Sequence, residues 1–165
     1  MHVAIKVTEE LLYDSAFNLE NYILEQFGKA LANAEEDAFL NGDGTGKPTG
    51  VFHQTNGGTY LTEVATLKAD DIINLIHALK RPYRKGAVFI LNDKTIATIR
   101  KLKDNNGAYM WQPSYQVGEP DRLLGYPVYT SQFAPENKIA FGDFSYYNIG
   151  DRGTRSFKQL TELFA

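Results

Sequence analysis

From Asn18 to Asn41 the chain contains no proline and a single glycine, Gly28. Within that run Leu19, Ile23, Phe27, Ala30, Ala34 and Ala38 recur at three- and four-residue spacing. This predicts a long helix with one apolar stripe. Asp14, Ser15 and Asn18 each offer a side-chain oxygen to the free N–H groups at its start. Glu25 and Lys29 form a well-oriented i,i+4 pair. A helix of about 23 residues reaches about 35 Å. That is long for a chain of 165 residues, so the helix must lie along the rest of the molecule or along another subunit. Glu35, Glu36 and Asp37 crowd its C-terminal end, where the helix dipole favours cations. A solvated acidic face and a face matched by a basic surface both remain open.

The helix runs into Asn41-Gly42-Asp43-Gly44-Thr45-Gly46-Lys47-Pro48-Thr49-Gly50. Gly42 is placed to stop the helix in the left-handed conformation. Asp43, Gly44, Gly46, Pro48 and Gly50 are turn formers, and Asn56-Gly57-Gly58 marks a second turn. The stretch is not a phosphate loop. The first glycine of that motif falls on Asn41, and Pro48 follows the lysine where a Ser or Thr is needed. The stretch also follows a helix rather than a strand. A calcium loop fails too, because Phe52 stands where the bidentate Glu belongs.

Downstream the pattern alternates. Asp70 or Asp71 can cap a helix carrying Ile72, Ile73, Leu75, Ile76 and Leu79, closed by Pro82. Val88 to Leu91 is a continuous apolar run, as in a buried strand. Asn92 or Asp93 can cap a helix with Ile96, Ile99 and Leu102, and Asn105-Asn106-Gly107 forms a turn. Short strands are expected over 109–111, 126–130, 139–141 and 146–149. At the ends, 3–7 alternates like a strand and 154–165 alternates weakly.

Apolar residues at 43% and charged residues at 22% argue against disorder. The absence of cysteine removes disulfides, thiolate metal sites and cysteine nucleophiles. No apolar run approaches the roughly 20 residues of a membrane span. The net charge of -3, without a basic half, argues against a nucleic-acid footprint. His2, His53 and His77 are scattered, so no metal set can be assembled. None of Ser15, Ser114, Ser131, Ser145 and Ser156 sits in a nucleophile elbow. The adjacent acids Asp70-Asp71 and Glu35-Glu36 point about 100° apart on a helix, unsuited to shared acid–base work. No catalytic, cofactor or metal residue is proposed. Aromatic residues reach 13%, which suits a rich core and also subunit contacts.

Five stretches, in order, resemble the major capsid proteins of tailed bacteriophages, the HK97-type fold. They are Glu10 to Ser15 running into the long helix, Glu35 to Gly50, Gly86 to Asn92 with the helix after it, Leu123 to Val128, and Ile139 to Phe144. The resemblance implies an α+β fold, with a spine helix, peripheral-domain strands and a mixed α/β axial domain. It divides the chain into 1–55 (peripheral part with the spine helix), 56–145 (axial domain) and 146–165 (a return strand). It implies a structural subunit of a phage or prophage capsid, forming hexamers and pentamers. Its partners would be copies of itself and other phage head proteins, with no cofactor, membrane or sequence-specific nucleic acid. Its place would be the virion capsid, after synthesis in the bacterial host cytoplasm. An encapsulin-type cage of the same fold is the alternative, and a small enzyme a more distant one.

In the family an N-terminal arm and an extended loop precede the first strand here, and the last strand continues. A chain lacking them is expected to be a monomer or small oligomer in solution. The turn residues expected to shape the tile are Gly42, Asp43, Gly44, Gly46, Pro48 and Gly50 between the domains. Gly125, Pro127, Gly142 and Asp143 are expected at turns between axial strands. A β-branched residue at Gly44 is expected to impair folding or assembly, since it tolerates positive φ badly.

Overall fold

The computed structural model describes residues 19–103, 107, 109, 111, 121–150 and 153. The expected segments 3–7 and 154–165, the caps at Asp14, Ser15 and Asn18, the Asn105-Asn106 half of its turn and residue 110 of strand 109–111 lie outside these.

Helix α1 spans Leu19–Asn41, as the proline-free run predicts. Its half-buried positions Ile23, Phe27, Leu31, Ala34 and Ala38 form the stripe, while Ala30 is exposed. The stripe therefore passes through Leu31, one position beyond the expected Ala30. Among the described side chains of α1 only Leu40 is buried.

Helix α2 spans Ala69–Ala78 and its cap position is Lys68, not Asp70 or Asp71. Asp71 contributes from inside the first turn, where Oδ2 accepts the Lys68 N–H at 2.8 Å. Leu79 has already left the helix with extended backbone. Pro82 opens a 3-10 turn over Arg81–Gly86, a position where its missing N–H costs nothing.

Strand β1 (Val88–Leu91) leads through Asn92 into helix α3 (Asp93–Arg100). The short β2 (Arg122–Leu123) and β3 (Tyr126–Thr130) form a hairpin, and β4 is Ile139–Gly142. The sheet order is β2-β3-β1-β4. β1 pairs parallel with β3 and antiparallel with β4, so Phe89 lies opposite both Val128 and Phe141. The β1–β3 pair is parallel, so it requires a crossover, and α3 lies within it. Phe89 and Leu91 are buried while Val88 and Ile90 are half-buried. The apolar run is thus fully covered on one face only. The expected strand over 146–149 is absent: Phe144–Tyr146 forms a 3-10 turn instead.

The core gathers Phe89 and Leu91 of β1, Val128 of β3, Ile72 and Ile76 of α2, and Ile96 and Ile99 of α3. Each fully buried side chain of this size contributes about 1.5–3 kcal/mol. Asn92 locks the β1–α3 junction. Its Oδ1 accepts the Lys94 N–H at 3.0 Å and its Nδ2 donates to the Ala134 carbonyl at 2.9 Å. Asn92→Ala loses the cap and strands a buried carbonyl, so it is expected to cost about 1–3 kcal/mol in urea unfolding. Asn92→Asp keeps the cap acceptor but turns a buried carboxylate oxygen toward the Ala134 carbonyl, so it should be no more stable than the alanine variant. Equal stability of the alanine variant and the parent would refute this role.

Candidate functional site

The last carbonyls of a helix need partners from outside it. Here the chain supplies them by turning back on itself. The Gly42 N–H donates to the Ala38 carbonyl at 2.9 Å. The Val51 and Phe52 N–H groups donate to the Phe39 and Leu40 carbonyls, each at 2.9 Å. Across the neck, Gly50 N–H reaches the Gly42 carbonyl at 2.8 Å, and Asp43 and Thr49 form a bridge. The segment from Gly42 to Gly50 is a loop clasped at its base.

The clasp requires bare backbone. A Cβ on Gly42 would sit 2.0 Å from the Pro48 carbonyl oxygen, and one on Gly50 would sit 2.5 Å from that of Leu40. Gly57, in the next turn, would strike the His53 carbonyl oxygen at 2.5 Å. Gly42 is therefore required for close approach and not, as expected, for left-handed backbone. The left-handed positions are Gly44 (φ 78°) and Gly46 (φ 69°). Between them Asp43 Oδ1 accepts the Thr45 N–H at 2.9 Å.

The clasped end is tied to the sheet lobe. Asn41 Nδ2 donates to the Phe133 carbonyl at 2.7 Å and to Asp37 Oδ1 at 2.9 Å. The Tyr147 hydroxyl donates to the Thr49 carbonyl at 2.8 Å, and its ring meets Phe39 edge-on at 6.2 Å. Burial raises the Tyr147 phenol above its ordinary pKa, which keeps the hydroxyl a neutral donor. Lys138 Nζ reaches the Phe52 carbonyl at 3.4 Å. No basic residue lies in the last turn of α1.

Gly42, Asp43, Gly44, Gly46, Pro48 and Gly50 thus meet in one corner. Gly125 and Pro127 lie elsewhere, in the β2–β3 hairpin. Leu124 (φ 51°) and Gly125 (φ 88°) form its two-residue turn, and both take the positive φ that a type I′ turn demands. Pro127 is a strand residue rather than a turn residue, placed where β3 has yet to meet β1. Gly142 ends β4 with open space around it, and Asp143 caps the following turn by accepting the Ser145 N–H at 3.1 Å. Gly57 and Tyr147 were not foreseen as parts of the corner, and Asn41, which heads the turn-forming run, was not foreseen as its tie to the sheet lobe. Gly57 stood in a recognised turn signal, whereas Asn41 and Tyr147 act on residues about a hundred positions away, beyond the reach of local pattern.

The two described histidines serve local structure. His53 Nδ1 accepts the Asn56 N–H at 3.1 Å, and His77 Nδ1 lies 3.4 Å from Arg84. Among the described residues no cluster of three His, Asp or Glu side chains is placed to hold a metal.

Comparison with known proteins follows the same lines. A sequence profile of the phage capsid family matches residues 1–165. The major capsid protein of Enterobacteria phage HK97 is 29% identical over 133 residues, covering 79% of this chain and 34% of that protein. The major capsid protein of Klebsiella oxytoca phage phiKO2 is 23% identical over 180 residues, covering 93% and 39%. Among solved structures, the capsid of an empty GTA particle computed with C5 symmetry superposes with a TM-score of 0.69 at 38% identity. That match covers 82% of this chain and 53% of the capsid chain. The chain spans less than two fifths of the length of these two curated relatives and about half that of the solved capsid chain. The expected α+β capsid fold is thereby shown. A profile match running the full 165 residues, on a fold shared with a solved capsid, means that this chain belongs to the phage capsid family.

Proposed function

We propose that this chain is a structural subunit of an icosahedral phage or prophage capsid, assembling with copies of itself into hexamers and pentamers. The observation that carries this reading is the joint match of sequence profile and fold to capsid proteins. In this reading residues 1–55 form the peripheral part with the spine helix, 56–145 the axial domain, and 146–165 the return toward the periphery. The clasped corner at Gly42–Gly50 sets the angle between rod and lobe, and the hairpin at Gly125 shapes the edge of the axial sheet. Other head proteins dock on the finished shell, and the subunit is made in the host cytoplasm before it enters the virion.

The test is made on particles purified by density gradient from cultures that carry the gene. Peptides of this chain are expected to dominate the particle protein, with DNA inside. Particles filled with protein cargo and no DNA would favour the encapsulin-type cage. Recovery of the chain only outside particles would overturn both readings.

A further inference from the structure

The sequence shows no basic half, yet the fold builds a basic pocket. The 3-10 turn after α2 supplies Arg81, Arg84 and Lys85, and the β2–β3 hairpin brings Arg122 to the same place from almost forty residues away. These four cations line an open cavity of about 600 Å³, with Ala87, Gly125, Tyr126 and Pro127 as the remaining wall. The small residues and the open space at Gly125 leave room for a ligand.

Two features separate this pocket from an ordinary solvated surface. First, among the described residues none of these cations is in an ion pair, and the Asp143 carboxylate beside Gly86 is engaged by Ser145. The ion pairs of the described residues are Lys29–Glu25, Lys94–Glu136 and Arg100–Asp121, and none involves a pocket residue. Clustered like charges repel, so such a group favours a bound counter-anion. Second, Arg84 is held in place. Its Nε donates to the Leu79 carbonyl at 2.7 Å and its Nη2 to the His77 carbonyl at 2.9 Å, where it caps the end of α2. Its Nη1 also lies 3.4 Å from His77 Nδ1, so Arg84 serves as a fixed charge beside the three exposed cations Arg81, Lys85 and Arg122. Planar guanidinium forks match the oxygens of phosphate. A single carboxylate would neutralise one of four charges and fill little of the space.

The geometry points to a binding site for phosphate groups, either those of a nucleic-acid backbone or those of a free polyphosphate. Binding reads charge and not base sequence, and it goes beyond the shell-building role proposed above. Calorimetric titration of the whole chain at low salt, with sodium tripolyphosphate and with a short single-stranded DNA, tests it. Saturable tripolyphosphate binding is expected, weakening as salt rises. The double variant R81E/R122E should weaken it about tenfold or more, while K47E, outside the pocket, should change it less than about twofold. If charge reversal disturbs folding, R81Q/R122Q gives the same comparison without added acid. Loss of DNA and tripolyphosphate binding together supports the site and assigns it to nucleic-acid phosphates; loss of tripolyphosphate alone supports it and assigns it to a free polyphosphate. Equal tripolyphosphate affinity in parent and variants, or no binding at all, overturns the proposal. So does a pocket that ignores tripolyphosphate but drives self-association lost in R81E/R122E, which would identify an acidic protein surface instead.

Discussion

Gly42→Ala is expected to destabilise the protein by about 3 kcal/mol or more, a large part of the roughly 5–15 kcal/mol that holds a typical domain together. The added methyl would lie 2.0 Å from the Pro48 carbonyl oxygen and 2.4 Å from that of Ala38. Both are backbone atoms inside the clasp, so neither can swing aside as a side-chain tip would. Relief requires the loop to lift, which breaks the Gly50 bond to the Gly42 carbonyl and pulls Val51 and Phe52 from the helix end. Gly46→Ala makes the informative comparison. Gly46 has positive φ but nothing near its Cβ position, so only left-handed strain of about 1–2 kcal/mol applies. Gly44→Val should fall between the two, since its φ is positive and its Cβ would meet only the Thr49 hydroxyl, at 2.9 Å. Urea unfolding of the three variants checks the order. A Gly42→Ala protein as stable as the parent, or Gly46→Ala as the most damaged, would show that the corner is not closed by backbone contact.

The elements legible in the sequence were those written in local chemistry. The rod from Leu19 to Asn41 follows from the absence of proline, and the pattern narrows the cap of α3 to Asn92 or Asp93, of which the structure uses Asn92. Gly125 announced a turn and takes positive φ in one. What local pattern missed depends on partners distant in the chain. Gly42 looks like a helix stop, but Pro48 decides what it must be. Residues 146–149 look like a strand, yet Tyr147 is held by Thr49 and Phe39 and no strand among the described residues pairs with it. The basic pocket was invisible because composition averages its cations with the acids of the rest of the chain. Only the hairpin that carries Arg122 brings them together.

Phe89→Ala is expected to cost about 3–5 kcal/mol, the range for emptying a buried aromatic site. Phe89 is fully buried in the central strand, 4.5 Å from the Phe141 ring and 6.4 Å from that of Tyr126. Its ring neighbours come from β3 and β4, the two strands that pair with its own on either side, so they cannot collapse into the vacancy without loss of register. Tyr129→Ala on β3, half exposed, should stay within about 0.5 kcal/mol. The larger value comes from hydrogen exchange at the Val51 and Phe52 amides in the Phe89→Ala protein. These amides belong to the clasp, which meets the lobe through Asn41–Phe133 and Tyr147–Thr49. If corner and lobe form one cooperative unit, the two amides lose protection by the same free energy as the sheet. The rod is then held at a fixed angle to the lobe. Full protection at Val51 and Phe52 while the sheet opens would instead make the corner an independent unit and the junction a hinge.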